Sequence, residues 1–397
     1  MDDNKICRIL NMEDHTLAHF PEEVLTKIFN GLMVTDLLSV SLVCTSWSNV
    51  IAQRRFLKLI RIRSDERVAG RTMNCMWKLL NNSYRNYENI ALFNVPRGTI
   101  MNLNQLDFKW KSVYLNGCAF YSILELINIL ESIQETAVEL NFDHMIYSCN
   151  FKEITDKYVV MPYLRNLTVD CIYCSDDENI LNILKPNFGQ LRSLKMTYNF
   201  FLDRFMKLLP LNIQLTTLHL HQTMNSLNMS AIEPFLLSQK NTLVDVRFDS
   251  INSSTFVLIW NECKKMRKLT IGNKRVVLCP KEMNLIKHPT LIELRFQLVV
   301  SNEVLNRIFE AVPNLQFLYL PEMDNELIVM ATEKLTNLQY LHVWTLKGEL
   351  TSENKKFTNL KRARVFQYVA TNVGLLKTMK ESNYQEQTRL LMEMLRL

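Results

Sequence analysis

The sequence has 397 residues, of which 48% are apolar, and its formal net charge is +6 from 46 basic and 40 acidic residues. This small excess of positive charge gives no strong attraction to nucleic acid or to an anionic membrane. Glycine occurs only 8 times, far below its usual share of about 7%, and no glycine-rich phosphate-binding motif occurs, which argues against a nucleotide-dependent enzyme.

The cysteines favour a reducing compartment. There are nine, an odd number, and they are scattered along the chain, as in proteins with reduced, buried thiols rather than a disulfide framework. No signal-like segment follows Met1, and no apolar run reaches the length of about 18 residues that a membrane helix needs. We therefore expect a soluble protein of the cytoplasm and/or the nucleus, with no membrane partner.

Three short helices are predicted between residues 17 and 56. Pro21 suits a first helical position, because its missing N–H has no helical partner there, and Glu22 and Glu23 follow in the first turn, where the helix dipole favours negative charge. Apolar residues then recur at helical spacing: Val24, Leu25, Ile28, Phe29 and Leu32. The next two helices carry Leu37, Leu38, Val40, Val43, Trp47, Val50 and Ile51.

So small a cluster cannot bury all of these large side chains by itself. The surplus apolar surface needs cover, either from a separate partner or from the protein's own repeats. The spacing of the residues leaves both possibilities open.

The order of these residues resembles the F-box. The resemblance rests on Phe20-Pro21-Glu22-Glu23-Val24-Leu25, then Ile28-Phe29, Leu32, Asp36-Leu37-Leu38 and Val43-Cys44-x-x-Trp47, with Phe20 standing where the family usually has leucine. It implies a domain that binds a Skp-type adaptor, and through it a cullin scaffold. By position in the motif, the residues facing the adaptor would be Phe20, Pro21, Val24, Leu25, Ile28, Leu32, Leu37 and Leu38. Val43, Cys44 and Trp47 would close the helices on each other and complete that surface.

The remaining chain has a short period. Frames with apolar residues at positions 0, +3 and +5 start at residues 87, 110, 137, 164, 191, 215, 243, 266, 291, 315, 338 and 360. The steps between frames lie within the range of about 20–29 residues typical of leucine-rich repeats. In the last nine frames, position 0 is leucine except at Met266, and position +3 is leucine except at Val246 and Ala363. Asn or Thr precedes several of these leucines, as in Asn314, Asn337 and Asn359.

The period resembles the F-box/leucine-rich-repeat family over nearly the whole chain. Each repeat would hold a strand, a turn and a helix, and helical patterns cover residues 123–133, 254–265, 302–312 and 326–335. A further strand is predicted over residues 57–62. The expected fold is α/β: a three-helix F-box, then a leucine-rich-repeat solenoid with parallel strands on the concave face and helices on the convex face.

Four segments follow from this interpretation: an N-terminal tail over 1–16, the F-box over 17–56, the solenoid over 57–370, and a C-terminal helical cap or tail over 371–397. Alternate strand side chains point to opposite faces, so positions +2, +4 and +6 face outward. On the last strands these positions gather residue types enriched in binding hot spots: Phe317, Tyr319, Tyr340, His342, Trp344, Arg362, Arg364 and Phe366. They are predicted to bind a protein substrate, unless residues 371–397 cover them.

We find no catalytic constellation. Cys171 and Cys174 form an isolated C-x-x-C, and His219 with His221 does not supply the four ligands of a zinc site. We expect no metal, no cofactor and no nucleic-acid partner. The family resemblance implies a non-catalytic subunit of a ubiquitin ligase that holds a protein substrate near the conjugating enzyme. The alternative is a leucine-rich-repeat scaffold whose F-box does not assemble a ligase.

Overall fold

A computed structural model describes residues 20–53, 56, 61–65, 87–95, 109–120, 122–143, 146–147, 157–170, 177–198, 209–210, 212–222, 232–347 and 357–369. The chain divides into two compact units, Met1–Phe151 and Lys152–Leu397. The predicted segments 1–16 and 371–397 lie outside the described residues. Within the described part, no helix is both long enough and apolar enough to cross a membrane.

The first unit begins with three short helices, as predicted. They are α1 (Glu22–Phe29), α2 (Val34–Val40) and α3 (Thr45–Ile51). Pro21 precedes α1, and the first turn of this helix carries Glu22 and Glu23. The Cys44 sulfur accepts a hydrogen bond from the backbone N–H of Trp47 and so caps α3. The helices enclose one apolar core, formed by Leu25, Phe29, Leu37, Val50, Ile51 and Phe56.

Parallel strands follow in the same unit. A sheet joins β1 (Arg61–Asp65), β2 (Asn89–Phe93), β3 (Ser112–Asn116) and β5 (Glu139–Asp143) in that order. A second parallel pair joins β4 (Ala119–Phe120) and β6 (Ile146–Tyr147). Helix α4 (Ile123–Ile133) follows β4 and coincides with the predicted helix over 123–133.

The second unit continues the repeat pattern. Its described strands pair in sequence order, and all of these pairs are parallel. They are β7 (Asn166–Asp170), β8 (Ser193–Tyr198), β9 (Thr217–Gln222), β10 (Asp245–Asn252), β11 (Lys268–Val277), β12 (Glu293–Phe296), β13 (Phe317–Met323), β14 (Tyr340–Lys347) and β15 (Arg362–Val369). The helices are α5 (Asp177–Leu184), α6 (Glu233–Ser238), α7 (Ser253–Glu262), α8 (Asn302–Ala311) and α9 (Asn325–Lys334).

The predicted frames are confirmed throughout. Each strand from β2 to β15, apart from the short β4 and β6, begins two residues after a frame start. The side chains at positions 0, +3 and +5 are buried, as Leu315, Leu318 and Leu320 illustrate, except for the half-buried Tyr87 in the first frame and Val365 in the last. The intervening side chains at +2 and +4 lie on the opposite side of the sheet, which we call the open face. The mixed α/β, solenoid-like repeat architecture is therefore the one the sequence predicts.

The Asn residues before the leucines have a structural reason. Each side-chain amide donates a hydrogen bond to a backbone carbonyl of the preceding repeat: Asn314 to Pro289 at 2.9 Å, Asn337 to Pro313 at 3.0 Å and Asn359 to Thr336 at 2.7 Å. These bonds satisfy carbonyl groups that the turns would otherwise leave without a partner. These Asn side chains thus link each of the three repeats to the preceding one by a hydrogen bond.

Two sequence expectations need correction. The repeat between β11 and β12 contains a single 3₁₀ turn, Pro280–Glu282, in place of an α-helix. Strand β11 takes ten residues, which shortens the connection, and Pro280 has no N–H to donate to a helical hydrogen bond. The strand predicted over 57–62 is found at Arg61–Asp65, and residues 57–60 lie outside the described part.

Candidate protein-binding sites

An exposed apolar stripe runs along the first helix. Val24 and Ile28 are four residues apart, so their side chains lie on one side of α1, and Phe20 precedes this helix by two residues. Each is between 39% and 46% exposed, although all three are large and apolar. The buried side chains of the helix, Leu25 and Phe29, lie on its other side. The helix is therefore apolar on both sides, and one side has no cover within the described residues. We call Phe20, Val24 and Ile28 the adaptor stripe.

The turns between the helices add to this apolar surface. Met33, between α1 and α2, is 70% exposed, and Leu42, between α2 and α3, is 86% exposed. Val43 beside it is also exposed. The sequence analysis missed Met33 and Leu42, because neither lies at a helical position; the signal was a large apolar residue in a short turn, where polar residues are usual. Clusters of exposed apolar side chains mark interaction surfaces.

Several predicted contact residues lie elsewhere than expected. Leu25 and Leu37 were predicted to face the adaptor, but both are fully buried in the helical core. The physical reason is that three short helices must first form a core of their own, and these two side chains supply it. Val43 was predicted to close the helices together and is instead exposed.

The other motif residues hold the helical cluster together or lie at its surface. Leu32 and Trp47 are half-buried against the core, and Trp47 makes an edge contact with Phe29 at 5.4 Å. Pro21 is exposed next to the adaptor stripe, and Cys44 caps α3. The side chain of Leu38 lies outside the described residues.

The second unit carries a cavity of about 210 Å³ on its open face. Two rows of side chains cross strands β12 to β15, as the strand register dictates. The first row is Glu293, Phe317, Tyr340 and Arg362, and the second is Arg295, Tyr319, His342 and Arg364. All eight line the cavity. We call this site the aromatic pocket.

Aromatic rings form the centre of this pocket. Phe317 and Tyr340 stack face to face, with ring centroids 4.5 Å apart and an interplanar angle of 1°. Tyr319 and His342 meet edge to face at the same separation, with an angle of 67°. Such pairs hold each other in place, so the centre of the pocket is formed before a ligand arrives.

Charged groups flank the rings. Glu293 is buried, and its carboxylate is engaged by Arg295 at 2.5 Å and by Lys268 at 3.2 Å. Across the rings, Arg362 and Arg364 line the pocket, and neither forms an ion pair with a carboxylate of the described residues. At one end of the pocket two cations therefore share one carboxylate, whereas the other end presents two guanidinium groups with no carboxylate partner among the described residues.

The pKa of His342 is affected by the positive charges of the pocket. Burial lowers the pKa below its ordinary value, and the charges of Arg364 and Arg295 lower it further. The unfolded chain keeps the ordinary value, about 6.5, and so takes up a proton first as the pH falls. The neutral His342 thus contributes stability that is complete above that pH and decreases below it.

An NMR titration of the His342 ring measures this field. We expect a pKa below 6.5 in the unaltered chain and a higher pKa in an Arg364→Ala variant, since one of the two positive charges that lower the pKa is gone. Tyr319, on the neighbouring strand β13, and Arg295, on β12, are kept in both proteins. An Arg364→Ala variant with an unaltered His342 pKa would contradict the assigned field.

Earlier strands of the open face carry histidine–aspartate pairs. The Nε2 atom of His219 lies 3.1 Å from Asp245, and the Nδ1 atom of His221 lies 3.1 Å from Asp249. Arg247 also contacts Asp249, at 3.4 Å. Burial opposes ionisation of both aspartates, but the hydrogen bonds and positive charges of these partners prevail and hold the pKa of each carboxyl below its ordinary value. Cys171 and Cys174 lie outside the described residues.

The predicted substrate residues are largely brought together. Phe317, Tyr319, Tyr340, His342, Arg362 and Arg364 all line the aromatic pocket. Trp344 follows on the same face of β14 and is 51% exposed, whereas the side chain of Phe366 lies outside the described residues. The sequence analysis did not assign Glu293 and Arg295 to the site. Glu293 and Arg295 occupy the same positions in their repeat as Phe317 and Tyr319 do in theirs. This could have indicated their role, but only once the pairing of the strands was known.

These features define a protein with a small helical domain and an α/β repeat array. The family model described as F-box-like matches residues 17–60. The chain therefore carries an F-box-like domain, and repeats of the leucine-rich type follow it.

Two solved structures are similar at low level. One is the complex of Rad7 and Elc1 in yeast, with 13% sequence identity and a TM-score of 0.40, covering 94% of this chain and 97% of that chain. The other is a protein from Bacteroides fragilis, with 13% identity and a TM-score of 0.24. That match covers 47% of this chain and 60% of the bacterial chain. No curated protein sequence matches significantly.

Proposed function

We propose that this protein is the substrate-recognition subunit of a Skp–cullin–F-box (SCF-type) ubiquitin ligase. The F-box-like domain at residues 17–60 is the observation that carries the proposal. The exposed adaptor stripe supports it, because an apolar surface of this kind on a small helical domain favours a protein partner. The expected partners are a Skp-type adaptor, a cullin scaffold held through that adaptor, and a protein substrate.

The mechanism is proximity. The F-box, for which we propose the bounds 17–56, fixes the chain to the adaptor, and the repeats, proposed to span 57–370, hold the substrate. A conjugating enzyme on the cullin then meets a substrate lysine at high effective concentration. No side chain of this protein takes part in the chemistry, so the subunit is non-catalytic. We place it in the cytoplasm and/or the nucleus.

Copurification with the cullin tests the ligase assignment. The tagged full-length chain is coexpressed with a Skp-type adaptor, a cullin and its RING partner, and the recovered complex is assayed for ubiquitin transfer. We expect recovery of all four proteins and self-ubiquitylation of the chain. Recovery of the adaptor without the cullin would favour the second function, a leucine-rich-repeat scaffold that does not assemble a ligase.

Substrate binding is expected to depend on the open face. A Trp344→Ala, Arg364→Ala double variant should lose substrate and keep its melting temperature, because both side chains face away from the core. Proximity labelling in cells with ligase activity blocked compares this variant with the unaltered chain. A matched control is Arg247→Ala, on the same face but paired with Asp249.

The competing possibility is that residues 371–397 cover this patch. In that case the same double variant should lower the melting temperature, and deletion of residues 371–397 should lower it as well. An unchanged labelling profile for the double variant would remove the aromatic pocket from consideration as the substrate site.

A further inference from the structure

We propose that the edge of the sheet at which strands β10 to β14 begin binds an extended acidic segment of a protein partner. A groove of about 700 Å³ runs along this edge, and we call it the strand-start groove. It lies at the entry of the chain into the strands, whereas the aromatic pocket lies on the open face. The inference does not depend on the proposed function.

The groove is built from residues next to each frame start. The residues at position +1, immediately before each strand, form one row along its floor: Val244, Arg267, Ile292, Gln316 and Gln339. Each of these residues donates its backbone N–H to the carbonyl of the previous one, as Gln339 does to Gln316 at 2.9 Å. The row is therefore fixed at the strand spacing of about 4.8 Å.

The backbone carbonyls along this edge are already saturated. The Gln316 carbonyl accepts the N–H groups of both Gln339 and Tyr340, each at 2.9 Å. The carbonyls of Arg267 and Ile292 also accept two N–H groups each, which uses both lone pairs of the oxygen. A partner must therefore be held by the side chains of the groove, and not by addition of a strand to the sheet.

The charge of the groove is positive. Lys265 and Arg267 line it, both are exposed, and neither forms an ion pair with a carboxylate of the described residues. Among those residues, no aspartate or glutamate lines the groove. Glu262, three residues before Lys265, is paired with Lys240 at 3.5 Å. A carboxylate of a partner would supply the missing counter-charge, and a guanidinium group binds a carboxylate through two parallel hydrogen bonds.

Amide groups lie at the other end of the groove. The side chains of Gln316 and Gln339 are half-buried, adjacent in the row, and make no hydrogen bond to any described residue. A carboxamide both donates and accepts hydrogen bonds, so it matches a peptide group, which does the same. Phosphate groups of a nucleic acid only accept, and would leave the carboxamide oxygens without a donor. The two glutamines therefore favour a polypeptide over a nucleic acid.

The middle of the groove is apolar. Ile292 lies in the row between the cationic and the amide ends, and Pro289 borders it. Four strand spacings separate β10 from β14, about 19 Å, which an extended chain covers with about six residues. The expected ligand is thus a short extended segment with acidic side chains near Lys265 and Arg267, and with its backbone against the glutamines.

Peptide binding tests the proposal. The full-length chain is titrated into fluorescent octapeptide pools that have random flanks and a fixed central pair, Asp-Asp, Asn-Asn or Lys-Lys, and binding is measured by fluorescence anisotropy. We expect the acidic pool to bind about 10-fold or more tightly than the neutral pool, because it gains charged contacts to the two cations. This preference should decrease as added salt screens the charges.

Variants identify the groove as the source of the preference. Lys265→Gln with Arg267→Gln should reduce binding of the acidic pool to the level of the neutral pool. Lys281→Gln with Lys287→Gln is the matched control, since it removes two exposed positive charges that do not line the groove. This control should keep the preference. Circular dichroism verifies that each variant is folded.

The glutamines have a separate readout. Gln316→Ala with Gln339→Ala should weaken the acidic and the neutral pools by the same factor, because both pools present the same backbone. A variant that weakened only the acidic pool would contradict the assignment of these amides to the peptide groups.

Four further results would overturn the inference. They are equal binding of the acidic and neutral pools, a preference that survives loss of Lys265 and Arg267, tighter binding of single-stranded RNA than of any peptide pool, and peptide binding that appears only after deletion of residues 371–397. The last result would show that the chain itself occupies the groove. Recovery of the cullin is measured independently, so failure of this proposal is distinguishable from failure of the proposed function.

Discussion

Charging the adaptor stripe with Val24→Asp and Ile28→Asp is expected to weaken binding to a Skp-type adaptor by at least about 100-fold. Each apolar side chain buried in an interface contributes about 1.5–3 kcal/mol, and a carboxylate left unpaired in that interface adds a further cost. Because both positions are exposed in the chain, the helices should keep their fold and their melting temperature.

The measurement is adaptor affinity by calorimetry, with circular dichroism as the check on folding. Leu124→Asp provides a matched control, since Leu124 on α4 is 40% exposed and receives the same charge outside the F-box-like domain. This control should bind the adaptor normally. Retention of full affinity by the charged-stripe variant, with an unaltered circular dichroism spectrum, would refute the adaptor assignment of this surface.

Leu25 would be a poor site for the same test. The sequence motif places it next to Val24, but its side chain is 1% exposed and packs in the helical core. A charge there would unfold the domain, and adaptor binding would be lost for a reason unrelated to the interface. The choice of Val24 and Ile28 therefore depends on the structure.

The repeat array was predictable because its signal is redundant. Each repeat packs against its neighbours, so the same buried positions recur as leucine over many frames. The less regular frames at 87, 110 and 137 also become strands, since regular neighbours fix where the next strand must lie. The Asn before the leucine of three frames gave a second signal, which the hydrogen bonds of Asn314, Asn337 and Asn359 explain.

The orientation of the first helix was less predictable. Val24 and Ile28 form one apolar side of α1, and Leu25 and Phe29 form another, so periodicity alone does not say which side is inward. The aromatic pocket shows a similar limit. Its six predicted residues follow from strand alternation, but the roles of Glu293 and Arg295 depend on which strands are neighbours and on one ion pair.

Leu318→Ala is expected to lower the free energy of unfolding by about 2–5 kcal/mol. Leu318 is 2% exposed and lies at the +3 position of its frame, where its side chain packs in the shared core of the repeats. Truncation removes apolar contact and leaves a cavity that the stacked neighbours on β12 and β14 cannot easily fill. Tyr319, one residue further along β13, points to the open face instead.

The matched variant Tyr319→Ala should therefore cost less than about 1 kcal/mol, the scale of one aromatic contact, here the edge contact with His342. Urea denaturation of both proteins supplies the comparison. Since a shift of one residue would exchange the two faces of the strand, comparable losses in the two variants would show that the assigned phase of β13 is wrong. That outcome would also displace the aromatic pocket, because its two rows depend on the same alternation.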